Sequence, residues 1–162
     1  MIFLKIQLII FFIFSGLSVF AQNATPDLLT EIGGIVYIKK TSELFTGKYT
    51  ENYPQENIIG KEGTYQNGKM IGKWTWYYKD GKVKRESEYF NNQKNGKTIY
   101  WFKDGKKQSE THYKNDCLDG KAVWYHQNEK KKKEAIYNNG KFVSGKEWDE
   151  NGKIINGSFS IE

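Results

Sequence analysis

Residues 86–113 read ESEYFNNQKNGKTIYWFKDGKKQSETHY, and within that stretch Glu86, Ser87 and Tyr89 return 24 positions later as Glu110, Thr111 and Tyr113. The same spacing extends outward in both directions. Tyr65, Tyr89, Tyr113 and Tyr137 form one column; Glu62, Glu86, Glu110 and Glu134 form a second; Trp76, Tyr100, Trp124 and Trp148 form a third. A fixed period of this length marks a repeat architecture, in which each unit buries its apolar side only by stacking on its neighbours. Gly-Lys pairs at 47, 72, 96, 120 and 145 open five units of 24–25 residues, the last truncated near Gly157.

Each unit carries two turn signals. The first set includes Lys79-Asp80-Gly81-Lys82 and Lys103-Asp104-Gly105-Lys106, where Asp-Gly predicts a two-residue hairpin loop with positive φ at both central residues. Asn128-Glu129 takes that place in the next unit and predicts a looser or strained turn, because Glu resists positive φ. The second set is Asn67-Gly68-Lys69, residues 91–95, residues 115–119 and Asn139-Gly140-Lys141, all rich in turn formers. Short strands between such turns, each pair advancing a sheet by about 10 Å, predict an all-β, elongated, single-layer antiparallel hairpin ribbon. Composition agrees, with 5 Trp, 11 Tyr, 10 Phe and only 2 Pro in 162 residues. Beyond residue 21, Ala stands only at 24, 122 and 135, so small apolar helix formers are nearly absent.

A two-residue loop at Asp80-Gly81 sets Tyr78 opposite Val83, Trp76 opposite Arg85 and Trp74 opposite Ser87, all on one face. Tyr89, Tyr100, Phe102, Thr111, Tyr113, Ala122, Trp124, Ala135 and Tyr137 share it, and the small residues at 87, 111 and 135 leave room for the rings. This is the expected packed face. The other face holds Lys73, Tyr77, Lys84 and Glu86, then Lys97, Trp101 and Glu110, then Lys121, Tyr125 and Glu134. Exposed ion pairs there are worth at most about 1 kcal/mol each, so this mixed face is solvent-tolerant.

Ahead of the repeats, Lys5 precedes an apolar run from Ile6 to Phe14, and Val19-Phe20-Ala21 offers acceptable residues at positions −3 and −1 of a cleavage site. Residues 1–21 therefore read as a signal peptide cleaved after Ala21, which directs the chain to the periplasm, the cell envelope or the exterior. The competing reading is a retained anchor, since Ile2–Phe20 approaches the span of about 20 residues that a bilayer needs. Residues 22–46 lack the period: 22–29 read as a loose lead-in, and Ile35–Lys39 and Leu44–Phe45 as capping strands ahead of the repeats over 47–162.

Catalytic chemistry is poorly provided for. A single Cys, Cys117, excludes an intramolecular disulfide framework, and with only His112 and His126 beside it the usual zinc patterns are missing. The two histidines fall on strands and point to opposite faces. Cys117 sits in a turn between acidic residues, which disfavours a thiolate. The Glu columns share repeated surroundings, whereas paired carboxyl catalysis needs one carboxyl set apart in an apolar pocket. No catalytic residue, metal or cofactor is expected.

Binding is the class that remains. Tyr77, Trp101 and Tyr125 recur on the mixed face beside Lys73, Lys97 and Lys121, a strip suited to a protein partner; a glycan or anionic lipid surface is the alternative for a chain of net charge +6. Nucleic acid is not expected for an exported chain, and the ribbon reads as a monomer.

The pattern Glu86-Ser87-Glu88-Tyr89, Gly96-Lys97, Tyr100-Trp101, Asp104-Gly105-Lys106, Glu110-Thr111-His112-Tyr113, Lys114-Asn115 resembles the MORN-repeat variant of bacterial YwqK-type antitoxin proteins. The resemblance covers about residues 44–157 and includes Leu44-Phe45-Thr46-Gly47. It implies a single-layer hairpin ribbon, no catalytic residues and a toxin-neutralising role. An export signal departs from a cytosolic antitoxin and would place the toxin in the envelope.

Overall fold

Antiparallel hairpins make up most of residues 22–160, which the computed structural model describes; the expected leader over 1–21 lies outside the described residues. The chain begins with β1 (Gln22–Ala24), a 3-10 turn at Pro26–Leu28, and a small hairpin of β2 (Leu29–Ile32) and β3 (Ile35–Ile38). The ribbon follows as β4 (Gly47–Asn52), β5 (Ile59–Gln66), β6 (Lys69–Tyr77), β7 (Val83–Phe90), β8 (Gln93–Trp101), β9 (Lys107–Lys114), β10 (Cys117–Tyr125), β11 (Lys131–Asn138), β12 (Lys141–Trp148) and β13 (Ile154–Ser160). From β4 to β13 the sheet order is the chain order, and β1 adds a parallel edge strand beside β4. Residues 22–24, read from sequence as a loose lead-in, thus take a place in the sheet. Ile35–Ile38 is a strand as expected, but it pairs with β2, and Leu44 contributes only an isolated bridge to Tyr37.

The two ends of the ribbon use different turns. At one end, Gly81 N–H donates to the Tyr78 carbonyl and Tyr78 N–H donates to the Lys82 carbonyl. Only Gly81 has positive φ, at 80°. This is a three-residue loop built on a type I turn with a left-handed third residue, not the two-residue loop that Asp-Gly suggested. The extra residue makes Tyr77, not Tyr78, the partner of Val83, while Trp76↔Arg85 and Trp74↔Ser87 pair as expected. At the other end the turns are tight, with positive φ at Asn67-Gly68, Asn91-Asn92, Asn115-Asp116 and Asn139-Gly140. Residues 93–95 and 117–119, read as turn, are strand. Cys117 is accordingly the first residue of β10 and half-buried.

Glu129 occupies the left-handed position of the third loop with φ 67°, and the hydrogen bonds match those of its glycine counterparts. The loop is not looser; Glu simply takes on the strain. Because that conformation costs a non-glycine residue about 1–2 kcal/mol, Glu129→Gly is expected to raise stability by up to about 1 kcal/mol, read from the urea midpoint of circular dichroism. An unchanged or lower midpoint would contradict the turn assignment.

Each turn is tied to the next. Lys82, Lys106 and Lys130 reach the carbonyls of Lys103, Gln127 and Asn151 at 3.3, 3.0 and 3.1 Å. At the tight end, backbone N–H groups of Asn92, Asp116 and Gly140 donate to the carbonyls of Met70, Lys94 and Leu118.

Burial follows the expected packed face, with Thr75 and Val123 buried on the mixed face as well. Ser87 and Thr98 are 0% exposed, and Thr111, Ala122 and Ala135 are also buried. In a single layer, such burial comes from the half-buried rings of Trp76, Tyr89, Tyr100, Tyr113, Trp124 and Tyr137 leaning over a floor of small residues. Toward the N-terminus the floor is roofed. Ala24, Leu29, Val36 and Phe45 pack with Tyr49, Tyr65 and Trp74 into the main core cluster, against which Trp76 and Tyr89 rest. Val36 N–H donates to Gly68 O, and Asn92 Nδ2 to Gly34 O, fastening this cap to the tight end of the sheet.

Candidate interaction faces

Tyr77, Trp101 and Tyr125 stand at the same place in successive hairpins, the C-terminal ends of β6, β8 and β10, opposite Val83, Lys107 and Lys131. All three are half-buried. Lys73, Lys97 and Lys121 lie four residues earlier, each beside a positive-φ glycine that bulges the strand. The lysines and the rings therefore do not touch as one patch. Between them stand Glu86, Glu110 and Glu134, which the lysines engage at 2.9, 3.3 and 3.1 Å.

Two of these glutamates are clamped from both sides. Lys107 reaches Glu110 and Lys131 reaches Glu134, both at 2.7 Å, whereas Val83 at the matching place leaves Glu86 with Lys73 alone. The hydrogen bond from Lys107 holds the Glu110 carboxyl below the usual range, and those from Lys131 and Lys121 do the same for Glu134. Glu62, ahead of them, accepts from the Tyr77 hydroxyl instead. Burial and that carboxylate push the Tyr77 phenol up to about 12.

A carboxyl pKa depressed by folding stabilises the fold fully above the unfolded glutamate value near about 4.3 and ceases to do so as pH falls through the lower folded value. The lysines are largely exposed, so each clamp is worth under about 1 kcal/mol. Glu110→Gln with Glu134→Gln is thus expected to lower the pH 7 urea midpoint slightly and to flatten its decline below pH 4. A variant that keeps the wild-type acid limb would show that these carboxylates do not drive it.

The histidines are occupied elsewhere. His112 Nδ1 lies 3.1 Å from the Lys121 carbonyl, and His126, beyond the end of β10 and not on a strand, places Nε2 2.8 Å from the Trp148 carbonyl. Among the described residues no group of three His, Cys, Asp or Glu could hold a metal ion, and no helix is long and apolar enough to cross a membrane.

One residue that the sequence reading placed on the packed face without a role is Arg85. Its guanidinium carbon lies 3.4 Å from the centroid of Trp76 and 5.8 Å from that of Tyr100. Its Nε is buried without a hydrogen-bond partner. The available signal was compositional: Arg85 is the sole arginine among 25 Lys and Arg.

With this geometry established, the segments 70–91, 94–115 and 118–139 match the family described as the MORN repeat variant. Each matched segment begins near a tight turn, runs out through a three-residue loop and returns, so one repeat is one hairpin. Three consecutive hairpins of the chain, β6–β7, β8–β9 and β10–β11, thus match this repeat. Such repeats are generally non-catalytic modules of protein or membrane-lipid interaction. No curated protein matches the chain.

Proposed function

We propose that the protein is an exported, non-catalytic interaction protein of the antitoxin or immunity kind, with its protein partner lying along Tyr77, Trp101 and Tyr125. The observation that carries this reading is the recurrence of one half-buried ring per hairpin at the same edge of the mixed face. Two strand spacings separate successive rings by about 10 Å. A surface that repeats a contact at fixed intervals suits an extended partner better than a single reacting atom. The lysines contribute fixed hydrogen-bonding positions more than net attraction, because Glu86, Glu110 and Glu134 neutralise them locally. Export rests on the apolar run and the Val19-Phe20-Ala21 site.

Two measurements test the reading. Mass spectrometry of the native protein should give an N-terminus at Gln22; a retained Met1 would refute cleavage. In a pull-down from envelope extract, the Tyr77→Ala, Trp101→Ala, Tyr125→Ala variant should fold, yet lose at least about tenfold in partner recovery, as expected when anchoring rings are removed. Full recovery by the folded variant would remove the strip from the interface.

A further inference from the structure

Across the packed face, the cross-strand row from β4 to β12 reads Glu51, Lys61, Trp76, Arg85, Tyr100, Ser109, Trp124, Lys133, Glu147. Its two outer cations are closed by their neighbours, Lys61 by Glu51 at 2.8 Å and Lys133 by Glu147 at 3.0 Å. Arg85, between them, makes no ion pair among the described residues. Its one hydrogen bond runs from Nη1 to the Tyr100 hydroxyl at a long 3.4 Å. Lys94, the next cation on this face, holds its ammonium 4.8 Å from the Tyr113 centroid, also without an ion pair among the described residues. Asp116, nearby, accepts from the Lys94 backbone N–H at 2.8 Å.

A guanidinium laid flat on a ring presents a rigid planar fork, which matches a carboxylate bidentately; a lysine ammonium cannot. Nε is buried, so the edge left for an oxyanion is that of Nη1 and Nη2, whose one hydrogen bond among the described residues is the long one to Tyr100. The cap ends over β6 and β7, since Trp76 and Tyr89 pack against it and the rings on later strands do not belong to its cluster. From there on, the face offers half-buried aromatic rings and phenol hydroxyls.

The class of ligand follows from what the face lacks. An extended peptide added to a sheet needs a free strand edge, and β6 to β10 are each paired on both sides. Amphipathic rings such as Tyr100 and Trp124 instead suit a ligand with apolar ring faces and polar edges. They stand two strand spacings apart, about 10 Å, the length of a disaccharide.

We infer that the packed face across β6–β10 binds an acidic glycan, with the carboxylate of a uronic acid residue on Arg85 and neighbouring pyranose rings against Tyr100 and Trp124. This site is independent of the protein-binding strip, which lies on the opposite face.

The test uses protein purified after expression of the full chain, titrated by calorimetry and tryptophan emission with hexamers of galacturonate, glucuronate and mannuronate. At least one should bind and change the emission, and its methyl-esterified form should bind about tenfold more weakly or less, because the charge-assisted pair is lost. Arg85→Lys should weaken binding similarly while leaving the unfolding midpoint within error. The Tyr77→Ala, Trp101→Ala, Tyr125→Ala variant should bind as wild type, which separates this site from the strip. Equal affinity for ester and acid, or unchanged affinity in Arg85→Lys, would overturn the role of Arg85. Hexaglutamate binding as tightly as the uronates would assign the face to acidic peptides and overturn the glycan class, as would no binding of any uronate.

Discussion

Trp74→Ala is expected to destabilise the protein by about 3–5 kcal/mol, the range for removing a large buried aromatic. Trp74 is 1% exposed and is the largest fully buried side chain in the described structure. Its ring meets Tyr65 edge-on at 4.8 Å and lies 5.8 Å from Tyr49, and its Nε1 donates to the Thr64 carbonyl at 3.2 Å. Trp74, Tyr49 and Tyr65 share one buried cluster with Ala24, Leu29, Val36 and Phe45 of the cap, so truncation empties the junction instead of trimming a surface. Against a typical total stability of about 5–15 kcal/mol, the loss should be plain in urea denaturation followed by circular dichroism. A cost below about 1 kcal/mol would mean that the cap does not rest on this ring.

Gly63→Ala should also be damaging, though less so, for a reason invisible in the residue itself. A Cβ at position 63 would lie 2.1 Å from Cδ2 and 2.3 Å from Cε2 of Trp74. The glycine is a seat for the indole. Its strand is bonded on both sides, which holds the backbone in place and leaves the ring to move. Overpacking of this kind costs about 1–3 kcal/mol. In the Trp74→Ala background the same methyl group meets an empty space and should cost little. The double-mutant cycle should therefore show strong coupling, as expected for residues in direct contact; additive losses would sink the account.

Much of this fold is legible in the sequence because a repeat states its pattern several times. The register drawn from Asp80-Gly81 put Trp74, Trp76 and Tyr89 on one face and Glu86 on the other, the 24-residue columns carried it along the chain, and small residues at 87, 111 and 135 identified the floor. Misreadings came where two local structures share one signature. Asp80-Gly81 fits both a two-residue and a three-residue loop, and the choice rests on whether Asp80 adopts positive φ, which composition does not reveal. The bulges at Gly72, Gly96 and Gly120 were similarly hidden, since a glycine that opens a unit and one that kinks a strand read alike.

The candidate faces are less legible. The spacing of Tyr77, Trp101 and Tyr125 was visible from the period alone, but the pairing of Lys73, Lys97 and Lys121 with the intervening glutamates depends on register and rotamer. A repeat draws attention to what recurs, whereas the significance of Arg85 lies in being alone. The cap was found only in outline. Its parallel strand β1 and its bond from Asn92 to Gly34 span long sequence separations, for which no local pattern exists.

The linked turns carry a consequence for the ribbon as a measuring device. Because Lys82, Lys106 and Lys130 make the same bond to the succeeding loop, each hairpin meets its neighbour through an interchangeable joint. Loss or duplication of a whole 24-residue unit would reconnect like with like, changing reach by about 10 Å without redesigning either end. A descendant of this chain can thus be lengthened by copying what it already has. Arg85 and the cap, each present once, would stay at a fixed distance from the N-terminal edge and act as the zero mark of the ruler.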